Sequence, residues 1–380
     1  MLKARLLAGV LAPCFLMGGS PAMADITVGV TLALTGPNAS LGIPYRKGLD
    51  LMPTEIGGEK VRIIVLDDAS DPSTGVRNVQ KLISDEKIDI LMGPGNTPAV
   101  FAVAPIAAAS KVPEIALSPV DLSAAESEWV VTIPQPGDIW IQPIVKDMVK
   151  RGVKTAAFIG FSDPWGDLCF AAFKAAAAKA NIEIVAEERY ARTDNSVTGQ
   201  TLKMLSKKPD AIFVGASGTP GALPHIALAE RRWTGPTYGT PAVFNQDFVR
   251  VGKEAVEKVI AVTGPVGAYE QLPDSNPIKA VSARFVREYE AINGAGSWNG
   301  FSAYAYDAVQ IFKAAAPVAL QKAKPGTQEF REAFRQAMRS VKEIVGTQGV
   351  YNFKPGTPYG VDERSAVLVV IEKGAWKLVP

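Results

Sequence analysis

The sequence predicts an α/β protein built as two doubly wound parallel-sheet lobes, and three observations carry that expectation. Short β-branched or apolar runs alternate with helical stretches almost throughout, the pattern of a parallel sheet covered by helices on both faces. The predicted strands end in Gly, Pro, Ser and Thr, as at Thr35-Gly36-Pro37, Gly93-Pro94-Gly95 and Ser118-Pro119. The 380 residues suffice for two domains of roughly 100–200 residues each, and the alternation restarts after residue 135.

The first strand is expected over 26–34, followed by a helix over 45–56 in which Pro53 imposes a kink or an early stop. Residues 61–66 form a second apolar run closed by Asp67-Asp68. Asp71-Pro72 reads as an N-cap with proline in the first turn, opening a helix that reaches about residue 86. Strand 88–92, helix 98–110 and strand 114–117 complete the first unit. The second opens with helix 138–151 and strand 155–159, which ends in the corner Gly160-Phe161-Ser162-Asp163-Pro164. An Ala-rich helix over 167–180, strand 182–186, helix 197–207, strand 211–214 and helix 221–232 continue the rhythm. A short strand near Thr237 and strand 259–262 follow. Helices over 277–292, 299–316 and 327–340 then run with little strand between them. The runs 365–371 and 375–379 make a hairpin about Glu372-Lys373-Gly374.

Charge narrows the function. Forty Lys and Arg face 38 Asp and Glu, and both surplus cations, Lys3 and Arg5, precede the first acid, Asp25. Residues 1–24 read as a cleavable signal peptide: a basic start, apolar or small residues over 6–17, and Ala22-Met23-Ala24 before the cleavage point. The 12-residue apolar stretch is too short to span a bilayer. Pro13 stands before Cys14 where a lipid anchor needs a small residue, and lipidation of Cys14 stays open. Removing 24 residues and two cations leaves 356 residues with 38 basic and 38 acidic groups. That neutral balance excludes a polybasic nucleic-acid or membrane surface. Only Cys169 remains, so there is no disulfide framework, and the single His225 excludes metal sites and triads that need two histidines. The expectation is an exported periplasmic monomer with no cofactor, no metal, no nucleic-acid partner and no direct membrane insertion.

Ligands of open parallel sheets bind outside the carboxyl ends of the strands. Those ends fall at 35–38, 93–97, 118–121 and 160–165, where Gly admits close backbone approach and hydroxyls can donate to an anion. Thr97-Pro98 fits an N-cap and first helical position, a setting that favours a carboxylate, although capping alone also accounts for Thr97. Trp165 follows a strand end and is expected to cover a ligand; Trp298 and Phe301 bracket Gly300 at a helix start. For each ring, core packing is the competing reading. Enzyme signatures are missing: no Gly-x-Ser-x-Gly elbow, no phosphate loop, and wrong spacing at Gly294, Gly296 and Gly300 for a dinucleotide loop. Asp67, Asp68 and Asp71 lack the spacing of a calcium loop and read as turn and cap residues. His225 and Cys169 read as packed side chains.

Taken in order, several segments give the chain a family likeness. They are Leu34-Thr35-Gly36-Pro37 with Leu41-Gly42, Asp67-Asp68-Ala69-Ser70-Asp71-Pro72, Gly93-Pro94, Ala104-Pro105-Ile106-Ala107, Ser118-Pro119, Trp165-Gly166 and Tyr306-Asp307-Ala308. With them the chain resembles the leucine/isoleucine/valine-type periplasmic solute-binding proteins of ATP-binding-cassette importers, with the type I periplasmic-binding fold. The resemblance implies a three-strand hinge crossed near residues 134, 265 and 345. Lobe one would hold 25–134 and 266–345, and lobe two 135–265 and 346–380. It implies a ligand enclosed between closing lobes and a membrane permease as partner. It also implies that Thr97 binds the ligand carboxylate, with Ser118, Val120, Asp121 and Leu122 in contact and Trp165 and Phe301 lining the pocket. Leu41 stands where the family often has tyrosine, making that wall apolar. Where amino-acid receptors of the family place an acid for the ligand's ammonium, this chain has Thr240-Pro241-Ala242; Asp121 is the one substitute.

The expected function is therefore a receptor for a small hydrophobic carboxylate. An aromatic or oxo/hydroxy acid is favoured over a branched-chain or aromatic amino acid. A periplasmic sensor that signals to a membrane kinase is the alternative, and a secreted enzyme the least supported class.

Overall fold

The computed structural model describes residues 25–379, so the predicted signal segment at 1–24 lies outside the described residues. The first sheet takes β1 (Ile26–Leu32), β2 (Glu55–Ile56), β3 (Glu59–Asp67), β4 (Ile90–Met92), β5 (Glu114–Ala116) and β6 (Val130–Thr132). Between them run α1 (Ala39–Leu49), α2 (Pro72–Ser84), α3 (Thr97–Ala109) and the short α4 (Ala124–Ser127). The chain then enters α5 (Gly137–Lys150) and builds β7 (Thr155–Phe161), β8 (Glu183–Tyr190), β9 (Ala211–Gly215), β10 (Thr237–Gly239) and β11 (Ile260–Thr263). Helices α6 (Pro164–Lys179), α7 (Thr198–Ser206), α8 (Ala222–Glu230) and α9 (Gln246–Gly252) connect those strands. The last part holds α10 (Pro277–Asn293), α11 (Gly300–Leu320), α12 (Gln328–Ser340), the small pair β12 (Ile344–Val345) and β13 (Val350–Tyr351), and the hairpin β14 (Val367–Glu372) and β15 (Ala375–Leu378).

The strand orders are β2-β3-β1-β4-β5-β6 and β15-β14-β11-β10-β9-β7-β8. Each lobe thus centres on the same parallel arrangement, β3-β1-β4-β5-β6 in one and β8-β7-β9-β10-β11 in the other, with antiparallel additions at an edge. Each has a reversal point, between β1 and β4 and between β7 and β9, where the outgoing loops part and leave a crevice. The central strands are buried on both faces, which is why they read as apolar runs rather than as alternations. Helix α11 lies against the first sheet, where Tyr304, Ala308, Phe312 and Ala316 join the core of β1, β4 and β5. Tyr351 and Phe353 pack in that same core, so no change of core marks residue 346. The second core gathers Trp140, Phe158, Phe173 and Phe213. Among the described residues no helix is long and apolar enough to cross a membrane.

Local differences from the sequence reading have physical causes. The helix expected over 45–56 is α1, Ala39–Leu49, and residues 55–56 pair as β2. Gly42, Pro44 and Gly48 are poor helix formers; α1 is held by burying Leu41, Tyr45 and Leu49. Strand β8 runs to Tyr190 rather than 186, because an edge strand tolerates the charges of Glu187, Glu188 and Arg189. Asp67 and Asp71 serve turns and caps: Asp67 accepts from the backbone N–H groups of Leu34 and Ala69, and Asp71 caps α2 through Thr74.

Candidate functional site

The carboxyl ends of the two sheets face each other across a cavity lined from both lobes. From lobe one come Leu41 and Tyr45 of α1, Gly95, Asn96 and Thr97 after β4, Ser118 and Pro119 after β5, and Phe301 and Tyr304 of α11. Lobe two gives Trp140 of α5, Trp165 of α6, Arg192 after β8, Ser217 after β9, and Pro241 and Ala242 after β10. Pro134 and Gln135 line it where the chain passes between the lobes.

Two aromatic pairs form the walls. Tyr45 and Phe301 meet edge-to-face with centroids 5.3 Å apart, and Trp140 and Trp165 lie 6.2 Å apart. Gly95 lets the Tyr45 ring approach the β4 loop, since a Cβ there would stand 2.8 Å from a ring carbon. The Tyr45 hydroxyl donates to the Leu117 carbonyl, and the Tyr304 hydroxyl donates to Gln135 Oε1 at 2.6 Å. Burial, with the neighbouring Tyr304 adding to it, holds the Tyr45 phenol well above its ordinary range. Burial, reinforced by Asp307, does the same to Tyr304. Both rings are therefore neutral.

The Nδ2 of Asn96 and the Nε1 atoms of Trp140 and Trp165 are buried without a hydrogen-bond partner. Among the described residues Arg192 is the one charged side chain lining the cavity. Its guanidinium lies 4.1 Å over the Phe161 ring, donates from Nε to Asp163 at 2.5 Å, and donates from Nη1 to Ser217 Oγ at 2.8 Å and Asn38 Oδ1 at 2.9 Å. Asp163 caps α6 through the N–H groups of Trp165 and Gly166, which fixes the anchor of Arg192 and the start of the Trp165 helix together. Among the described residues no Asp or Glu lines the cavity, and Thr240, in the segment expected to lack an acid, turns its hydroxyl to the Ala216 carbonyl at 2.6 Å.

Of the residues predicted from the sequence, Leu41, Thr97, Ser118, Trp165 and Phe301 come together in the cavity, whereas Val120, Asp121 and Leu122 do not. Val120 turns into an apolar cluster with Val100, Ala104 and Val130; Leu122 packs on that cluster, and Asp121 is exposed. Thr97 is not the cap of α3: Asn96 is, accepting from the Ala99 N–H at 3.0 Å. The Thr97 hydroxyl donates instead to the Pro119 carbonyl at 2.9 Å and lies 2.9 Å from the Ser118 hydroxyl. Trp165 is buried in the cavity wall. Trp298 lies outside the cavity, packed among Phe244, Phe285 and Tyr269. Tyr45, Asn96, Gln135, Trp140, Arg192, Ser217 and Tyr304 escaped the sequence reading. The signal for Arg192 was present: it lies at a strand's carboxyl end once β8 is extended to Tyr190.

Comparison with known proteins gives a consistent picture. A family model described as periplasmic binding protein matches residues 25–374. The chain is similar to an extracellular ligand-binding receptor from Rhodopseudomonas palustris, with 41% identity and a TM-score of 0.92 over 94% of this chain and 99% of that one. It is 26% identical over 333 residues to the Leu/Ile/Val-binding protein BraC3 of Rhizobium johnstonii, covering 85% of this chain and 86% of the relative. A solute-binding protein of an ABC transporter from R. palustris, solved in complex with benzoate, shares the fold at 20% identity with a TM-score of 0.77, over 93% of this chain and 95% of that one.

Proposed function

The chain belongs to the periplasmic binding protein family, and from that premise we propose that it is the receptor of an ABC importer for a small hydrophobic carboxylate without an ammonium group. The observation that carries this reading is the donor excess of the cavity. The residues lining it carry one guanidinium and three buried N–H groups without a hydrogen-bond partner, and among the described residues no carboxylate lines it. An α-ammonium enclosed there would lose its hydration without an ionic partner, at a cost of several kcal/mol. An anion gains the free Nη2 of Arg192 and the indole donors in a site of low dielectric.

The acid group is therefore assigned to Arg192, with Trp140 and Trp165 adding donors and the Tyr45–Phe301 pair packing on the apolar body. With its proton committed to Pro119, the Thr97 hydroxyl accepts from Ser118, whose remaining lone pairs suit a ligand hydroxyl. This end of the cavity favours a hydroxy acid. The lobes, divided near 134 and 265 and, since Tyr351 and Phe353 pack in the lobe-one core, beyond 353 rather than at 345, would close about those three crossings. The closed form would dock on a membrane permease outside the cytoplasm.

Titration calorimetry with benzoate, 4-hydroxybenzoate, benzamide and leucine tests the reading. The acids are expected to bind, with benzamide and leucine at least about 100-fold weaker. Tight leucine binding with none for the acids would overturn it.

A further inference from the structure

Asn38 occupies the N-cap position of α1, where its residue type is among the best at satisfying a free helix N–H, yet its side chain caps nothing. Its Oδ1 accepts instead from Arg192 Nη1, at 2.9 Å, across the gap between the lobes. Asn38 is buried, and it does not line the cavity. Arg192 is also held from its own lobe by Asp163, Ser217 and the Phe161 ring, so contacts from both lobes converge on one guanidinium. The same rim carries two more contacts between lobes. The Thr219 N–H donates to Ser40 Oγ at 3.3 Å, and Leu41 lies so close to Gly218 that a Cβ there would stand 2.5 Å from Leu41 Cδ1.

We propose that Asn38 is a positioning residue that reports ligand charge to lobe closure, because its carbonyl oxygen bonds the same guanidinium that faces the ligand's anion. This rests on the assignment of the acid group to Arg192. One planar fork then serves both events: Nη1 reaches lobe one, and Nη2, which has no hydrogen-bond partner among the described residues, is left for the anion. A bound anion fixes the fork and favours the closed state; a neutral ligand of equal shape leaves it less constrained. Asn38 thus forgoes a local cap for a contact that only the closed state makes, and such contacts set the population shift on binding.

Two variants test this in stopped-flow binding and small-angle scattering. Asn38→Ala is expected to raise the off-rate for a bound aromatic acid about tenfold, the scale of one hydrogen bond to a charged group, with the on-rate within about twofold. Melting of the ligand-free protein should be unchanged, which a merely structural role would not allow. Asn38→Asp places a carboxylate opposite Arg192, and is expected to compact the protein without ligand and to weaken acid binding. An unchanged off-rate in Asn38→Ala, or a ligand-free Asn38→Asp as extended as wild type, would overturn the proposal. Failure of the ligand assignment is seen separately, as wild-type protein that binds no hydrophobic acid.

Discussion

A guanidinium can border an apolar cavity only when other groups hold it. Arg192 has that support in Asp163, Ser217, Asn38 and the Phe161 ring. Lysine keeps the charge but loses the planar fork and the stacking, so Arg192→Lys is expected to weaken acid binding by at least about tenfold while the fold persists. Calorimetry beside a thermal melt separates the two effects. His225 gives a test away from the ligand. Both ring nitrogens are buried without partners, and burial pushes its pKa down to about 3 from 6.5. The unfolded chain therefore takes up a proton that the folded one refuses, so stability falls as pH drops from about 6.5 toward 3. Asp307 acts in the opposite sense: burial raises its carboxyl to about 6, so between about 6 and 3.8 protonation favours the folded state. Replacing His225 with Leu should flatten the acid-side loss of melting temperature and leave the Asp307 contribution in place. An unchanged pH profile would count against a buried neutral His225.

At the scale of elements, the two lobes solve one packing problem alike. Gly42 of α1 lies against the Ala33 carbonyl just beyond β1, and Gly166 of α6 lies against the Phe161 carbonyl at the end of β7; a Cβ at either would overlap the oxygen. The absence of a side chain lets each helix begin tight against the strand that precedes it, which places Leu41 and Trp165 in the cavity. Gly166→Ala is expected to cost at least about 2 kcal/mol of stability, since backbone rather than a movable side chain stands in the way. Acid binding should fall with it as Trp165 shifts; denaturant titration and calorimetry measure both. The strand and helix alternation was legible because buried parallel strands are short apolar runs with punctuated ends. What was hidden followed from tertiary context. Edge strand β8 looked too polar to reach Tyr190, so Arg192 was not placed at a strand end. Helix α1 begins at Ala39 rather than 45, because burial of Leu41, Tyr45 and Leu49 outweighs the poor propensity of Gly42 and Pro44. Asn96 rather than Thr97 caps α3, a shift of one residue that no local propensity decides.

At the scale of the molecule, two doubly wound sheets meet at their carboxyl ends, and the cavity exists only because both lobes contribute to it. The lobe-one aromatic residues and hydroxyls shape the site, and lobe two brings the charge. With the charge confined to one side chain in this way, the proposed preference for anions is compatible with a near-neutral composition. The absence of an acid at Thr240-Pro241-Ala242 was visible in the sequence, but the meaning of that absence needed Arg192 in the same cavity. Scattering should show the protein becoming more compact when an acid is added, and no such change with the corresponding amide. The most direct test of the central claim is a calorimetric comparison of 3-phenylpropanoate with phenylalanine, one carbon skeleton without and with the ammonium. The acid is expected to bind at least about 100-fold more tightly, the scale of an unpaired buried ammonium. Phenylalanine binding as tightly as the acid, or more tightly, would show that the cavity accommodates an ammonium and overturn the assignment of an amine-free ligand.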